Sequence, residues 1–166
     1  MGLPGSGKTT FAKEFSKRYG FIHLNSDRIR LGIFYNPKYD ELEHKIVYDT
    51  LDNILSNLLK HGKNVVYDAN LNKLTHRKEK YSIAKKNRSK VLTCYFKVPE
   101  EVALKRLLSR RHEIPKNKWK SSPEEVYHRL KEQIEPPKKN EPVVKFNHQV
   151  ELDHQVVSVA ERLETI

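Results

Sequence analysis

The sequence is short of sulfur, of glycine and of acidic charge. One cysteine, Cys94, stands in 166 residues and excludes a disulfide framework. It lies within Val91-Leu92-Thr93-Cys94-Tyr95-Phe96, where it reads as a buried strand residue and not a nucleophile. A reducing, cytoplasmic setting suits it. No apolar run approaches the roughly 20 residues of a transmembrane helix, so no membrane association is expected. With only Met1 ahead of Gly2, no signal peptide is expected either. Acidic residues number 21 against 32 Lys and Arg, for a net charge of +11. The excess falls in two blocks. Residues 73–90 hold eight Lys/Arg against one Glu, and residues 105–120 hold seven against one. Such blocks attract polyanions; solvated helix faces are the plainer explanation. The length fits one domain over residues 1–166 with a real core.

The scarce glycines are concentrated. Three of the six fall in Gly2-Leu3-Pro4-Gly5-Ser6-Gly7-Lys8-Thr9, followed by Thr10. This is the pattern of a phosphate-binding P-loop. Backbone N–H groups of Gly2 to Thr10, Pro4 excepted, are placed to wrap a nucleoside triphosphate, with Gly5, Ser6 and Gly7 forming the turn. Lys8 is expected to reach the β- and γ-phosphates, and the Thr9 hydroxyl to hold Mg²⁺. A strand normally leads into such a loop. Only Met1 precedes Gly2, so the first strand is expected to be missing.

Hydrophobic spacing supplies the rest of the architecture. Residues 8–19 read as a helix closed by Gly20, and 21–25 as a short strand. Ser26 is expected to cap a helix through about Phe34. A long helix spans Asp40 to His61, with Leu42, Ile46, Leu51, Ile54, Leu55, Leu58 and Leu59 as its apolar stripe. A strand at 64–68 ends in Asp68. A helix at 75–87, a strand at 90–98 and a helix from Pro99 to about Arg111 follow. Ser122-Pro123-Glu124-Glu125 is a capping box opening another helix. Residues 143–152 suggest an extended segment and 154–164 a last helix, completing the sheet edge at about 143–166. The alternation predicts an α/β fold of the P-loop NTPase type, a three-layer α/β/α sandwich around a parallel sheet. Ligands bind beyond the carboxyl ends of such strands, where the P-loop, Asp27 and Asp68 all fall.

Asp68 ends an apolar strand and has the form of a Walker B carboxylate serving Mg²⁺. Asp27 and Arg30 are one helical turn apart and share a face. A carboxylate there can accept a hydroxyl proton from an acceptor, and the arginine can hold an anion on it. Arg106 and Arg110, with Arg111 beside them, suggest a lid over about 106–121 whose arginines close on the transferring phosphates. Trp119, between Lys118 and Lys120, is either a packing residue or a base-stacking one.

The run Gly2 to Thr10, then Asn25-x-Asp27-x-x-Arg30, then Asp68-x-Asn70-Leu71-Asn72, then Val98-Pro99 with Arg106 and Arg110, resembles the kinase domain of 5′-hydroxyl polynucleotide kinases. It is equally similar to the P-loop kinases around them, including zeta-toxin-like enzymes. The resemblance covers about residues 2–135. It implies ATP and Mg²⁺ at Lys8 and Thr9, Asp27 as general base and Arg30 on the acceptor phosphate. It also implies Asp68 in support and Arg106 and Arg110 in the lid. Three functions are expected in order. The first is transfer of the ATP γ-phosphate to a polynucleotide 5′-hydroxyl, with single-stranded or end-exposed nucleic acid as partner. The second is a small-molecule kinase for a nucleoside, sugar or nucleotide-sugar. The third is an NTP-dependent nucleic-acid-binding module without kinase activity.

Overall fold

A computed structural model describes residues 1–110 and 122–166. Helix α1 (Lys8–Tyr19) buries Phe11, Ala12 and Phe15 on one face, and Gly20, at φ 69°, turns the chain out of it. Strand β1 (Ile22–Asn25) leads into α2 (Ser26–Ile33). The cap of α2 lies one residue before the expected Ser26: the Asn25 side chain accepts from Arg28 N at 2.9 Å. Helix α3 (Glu41–Lys60) opens on Asp40, whose carboxylate accepts from Glu43 N. Then come β2 (Val65–Asp68), α4 (Leu74–Lys86), β3 (Thr93–Lys97) and α5 (Glu100–Ser109). Helix α6 (Pro123–Gln133) has the expected capping box, formed in both directions between Ser122 and Glu125. Strand β4 (Val143–Asn147) and helix α7 (Leu152–Glu164) end the chain. Arg111, Trp119 and most of the expected lid lie outside the described residues. No helix among the described residues is long and apolar enough to cross a membrane.

The strands alternate between two apolar layers. On β2, Val66 packs with α1 and α7 through Phe11, Phe15, Val156 and Val159, while Val65 and Tyr67 pack with α3 through Val47 and Leu51. Successive strand residues point to opposite faces, so helices cover both sides and the α/β/α layering follows. A fully buried aliphatic side chain such as Val47 or Leu51 contributes roughly 1.5–3 kcal/mol. The stripe of α3 differs from expectation at its first turns. Leu42 and Ile46 are exposed, and Glu43 takes the inward position ahead of Val47, Leu51 and Leu55. Buried Arg30 lies beneath that turn and draws the Glu43 carboxylate inward at 3.0 Å.

The strands form two parallel pairs, β1 with β2 and β3 with β4. Among the described residues no ladder joins β2 to β3. Met1 stands beside β3: its amino group donates to Cys94 O, and Phe96 N donates to Met1 O at 3.0 Å. Gly2 N donates to Asn72 Oδ1 at 3.2 Å, four residues past β2. The carboxyl ends of β2 and β3 therefore meet around Met1 and Gly2.

Candidate active site

The loop before α1 takes a conformation that its glycines permit. Gly5 has φ 77° and Gly7 has φ 95°, left-handed values that favour glycine. A Cβ on Gly5 would lie 2.3 Å from Ala103 O, so α5 packs directly on the loop backbone. Leu3 O accepts from Ser6 N and from Lys8 Nζ, the latter at 2.8 Å, and Ser6 Oγ, buried, also accepts from Lys8 Nζ. Lys8 is thereby folded back over Leu3-Pro4-Gly5-Ser6. Gly7 caps α1 with no side-chain bond. The first N–H groups of α1, around Thr9 and Thr10, thus face the loop at the positive end of the helix, where an anion is favoured.

The carboxylates come from the neighbouring strands. Register sets Asn25 opposite Asp68 at the ends of β1 and β2. Asp68 Oδ2 accepts from Asn25 Nδ2 at 2.8 Å and lies 3.0 Å from His23 Nε2. Both bonds fall on Oδ2, which leaves Oδ1 to face other partners. Met1, Lys8 and Asp68 all line one cavity. A hydroxyl from Thr9 and a carboxylate oxygen from Asp68 are the hard oxygen donors that Mg²⁺ prefers, and the residues present fit that ion.

Asp27 sits half-buried in the first turn of α2. Its charge acts on Tyr39, His44 and Tyr48. Arg30 follows one turn later on the same helix. Its guanidinium is 2% exposed; it donates to Glu43 Oε2 and to His44 Nδ1, each at 3.0 Å, and lies 4.7 Å from the centre of the Tyr39 ring. Glu43 also accepts from Lys38 N and Tyr39 N. Burial works against its charge, but these bonds outweigh it and hold the carboxyl below the usual range. Burial, then the Arg30 charge, lowers His44, in keeping with a neutral ring accepting at Nδ1. Arg30 therefore ties α2 to the first turn of α3, one helical turn from Asp27. A buried guanidinium needs a carboxylate, and α3 supplies one.

Arg110 lines a cleft of about 350 Å³ together with Thr9, Thr10 and Lys13, which brings it beside the start of α1. Arg106 is exposed one turn earlier on α5. The first basic block does not act as one track. Arg77 and Lys80 are buried in ion pairs with Glu141 and Asp52. Lys85 and Lys86 end α4, and Arg88 and Lys90 lie in its connection to β3. Of the second block, only Lys105, Arg106 and Arg110 are described.

Residues that sequence reasoning passed over hold the site together. Asn72 fixes Gly2, and its own carbonyl accepts from Arg77 Nη1 at 3.0 Å. Arg77 in turn forks onto Glu141, whose carboxyl is held down to about 2 by the Arg77 bond, against burial. The Asp-x-Asn-Leu-Asn spacing contained Asn72; nothing local marked Glu141, which is 64 residues from Arg77.

Residues 1–137 match the AAA domain family. The L-seryl-tRNA(Sec) kinase of Methanococcus maripaludis is 30% identical over 119 residues, which are 69% of this chain and 46% of that protein. The chain thus spans less than half the length of this relative. Among solved structures, the APS kinase of Mycobacterium tuberculosis in complex with AMPPNP and APS superposes with a TM-score of 0.74 at 19% identity, covering 99% of this chain and 94% of that one. A gluconokinase from Sinorhizobium meliloti superposes with a TM-score of 0.66 at 16% identity, covering 99% and 89%. These likenesses establish the fold of P-loop kinases.

Proposed function

The chain belongs to the AAA domain family, and from that premise we propose that it transfers the γ-phosphate of ATP to a hydroxyl acceptor. The observation that carries this reading is the glycine-turned loop at the start of α1, with Lys8 bonded back onto it, Asp68 at the end of β2 and Asp27 in the first turn of α2. In this reading the N–H groups from Gly5 to Thr9 and the Lys8 ammonium hold the triphosphate. Thr9 and Asp68 hold Mg²⁺, which neutralises charge on the phosphates when bound. Asp27 accepts the acceptor's hydroxyl proton as its oxygen bonds to the γ-phosphorus. The bond from that phosphorus to the bridging oxygen breaks, and ADP leaves. Arg110, beside α1, and Arg106 neutralise the departing charge. Arg30 keeps Asp27 in place through the α2–α3 corner.

For the acceptor, a polynucleotide 5′-hydroxyl is the first reading. The net charge of +11 supports it. The burial of Arg77 and Lys80 in ion pairs favours the second reading, a small alcohol such as a nucleoside or sugar. The test is transfer of labelled γ-phosphate to a 5′-hydroxyl oligonucleotide and to a panel of small alcohols, with Asp27→Asn as control. Labelled product that disappears in Asp27→Asn supports phosphotransfer. A polynucleotide acceptor would lose affinity steeply with salt, and a neutral small one would not. ATP hydrolysis stimulated by nucleic acid, with no phosphorylated product from any acceptor, overturns the kinase reading in favour of a binding module.

A further inference from the structure

The Asp68 carboxylate is gripped by the neighbouring strand. Strand β1 presents His23 and Asn25, two residues apart and so on one face. Asn25 Nδ2 donates to Asp68 Oδ2 at 2.8 Å, and His23 Nε2 lies 3.0 Å from the same oxygen. A carboxylate only accepts, so the His23 ring carries a hydrogen on Nε2 and donates it. The His23 and Asp68 side chains are 10% and 8% exposed, which shields this bond from water. The two strands need no such bond to stay together. Their backbone ladder already runs from Ile22 opposite Val65 to Asn25 opposite Asp68. What the ladder leaves open is the rotation of the carboxylate, because the last torsion of an aspartate is broad and two-fold. Two donors converging on Oδ2 fix that rotation; one alone lets the group swing about the bond. Asn25 has a second duty. Its Oδ1 accepts from Arg28 N and caps α2, the helix that carries Asp27. His23 is therefore the member of the pair whose effect on Asp68 can be separated from the placing of Asp27.

We propose that His23 is a positioning residue for the metal of this site: with Asn25 it commits Asp68 Oδ2 to β1 and leaves Oδ1 to serve Mg²⁺, a role that rests on Asp68 being the carboxylate read above as serving that ion. An oxygen that already accepts two hydrogen bonds has its lone pairs engaged, so the two bonds select which oxygen the ion meets. Groups that hold a metal-ligating side chain in this way typically change metal affinity by about 10–100-fold. His23 touches neither the ion nor the nucleotide in this role; it acts through Asp68. A leucine at position 23 fills similar space and offers no donor. A glutamine carries its own Nε2 hydrogens at a comparable reach. Residue spacing does not mark His23, since its partner lies 45 residues away on another strand.

The test reads metal binding directly, with no acceptor and no turnover. The chain is held with AMPPNP, and Mn²⁺ is titrated in place of Mg²⁺, its free concentration followed by electron paramagnetic resonance. Affinity for AMPPNP in EDTA is measured beside it by equilibrium dialysis. Expected for His23→Leu is Mn²⁺ held at least about tenfold more weakly in the complex, with His23→Gln within about threefold of the parent chain. Affinity for AMPPNP in EDTA should be the same in all three. Unchanged Mn²⁺ affinity in His23→Leu overturns the proposal. So does a loss in His23→Gln as large as in His23→Leu, because the donor would then not matter. An equal loss of AMPPNP affinity in EDTA also overturns it, since that marks a general disturbance of the loop. Asp68→Asn is the reference: if it holds Mn²⁺ as the parent chain does, the placing of Asp68 at the ion fails, and the role of His23 with it. Failure of the phosphotransfer reading shows separately, as absence of labelled product from every acceptor, and leaves the Mn²⁺ comparison standing.

Discussion

Glu43 ties the first turn of α3 to α2, the helix that carries Asp27. It takes bonds from Arg30, Lys38 N and Tyr39 N, and its α3 turn carries His44 against the same guanidinium. Replacing it by glutamine leaves the Arg30 charge buried without a carboxylate, and removing one member of a buried pair is strongly destabilising. Glu43→Gln is expected to lower the thermal midpoint and the rate of phosphotransfer together. The double variant Arg30→Met/Glu43→Leu removes both charges; it should recover the midpoint and not the rate. Calorimetry with the labelled-phosphate assay separates these outcomes, and recovery of the rate would show that Arg30 has no part in placing Asp27. Asp27 and Arg30 were legible as a pair one turn apart. The partner of Arg30 was not, since Glu43 lies 13 residues away in another helix.

The elements came through the sequence with few changes, because helix ends are local chemistry. Gly20, Asp40 and the Ser122–Glu125 box each act within a turn of their own position. Departures occurred where a neighbouring element intervened, as when Leu42 and Ile46 gave up the inner face of α3. The contact between the P-loop and α5 is of the same kind. Gly5 was expected to serve the phosphates, and it also lets the loop lie against Ala103. Gly5→Ala would meet that carbonyl and would hold alanine at φ 77°, so the loop must leave α5. Equilibrium dialysis should show ATP affinity reduced at least about tenfold. Gly20→Ala, with open space around its Cβ position, should leave ATP binding unchanged while lowering stability by about 1 kcal/mol for its positive φ.

At the scale of the molecule, several groups link stability to pH, Glu43, His44 and Glu100 among them; Glu141 and the Met1 amino group are two with large shifts. Glu141 has its folded value lowered from 4.5 to about 2, chiefly by Arg77. Its contribution is present above pH 4.5 and is lost as pH falls toward 2. The Met1 amino group is lowered from 8.0 to about 5, first by burial. Between those values the unfolded chain binds the additional proton, so stability rises with pH from about 5 to 8. A midpoint measured in steps from pH 3 to 9 is expected to climb over both ranges. Acetylating the Met1 amino group should reduce the rise over the upper range, leaving the part due to His44, and leave the lower range; an unchanged upper range would show that this amine does not titrate in the fold.

The sequence alone determined the order of elements, the phosphate loop and the strand-end carboxylate. Each rests on periodicity or on residues within a few positions of one another. Tertiary structure decided what long-range partners do. It buried Arg30 against Glu43, tied Asn72 to Gly2, drew Arg77 and Lys80 out of the basic block, and paired β2 with β1 and β3 with β4. These depend on which buried charges and strand edges face each other once the chain is packed, and residue spacing carries no record of that.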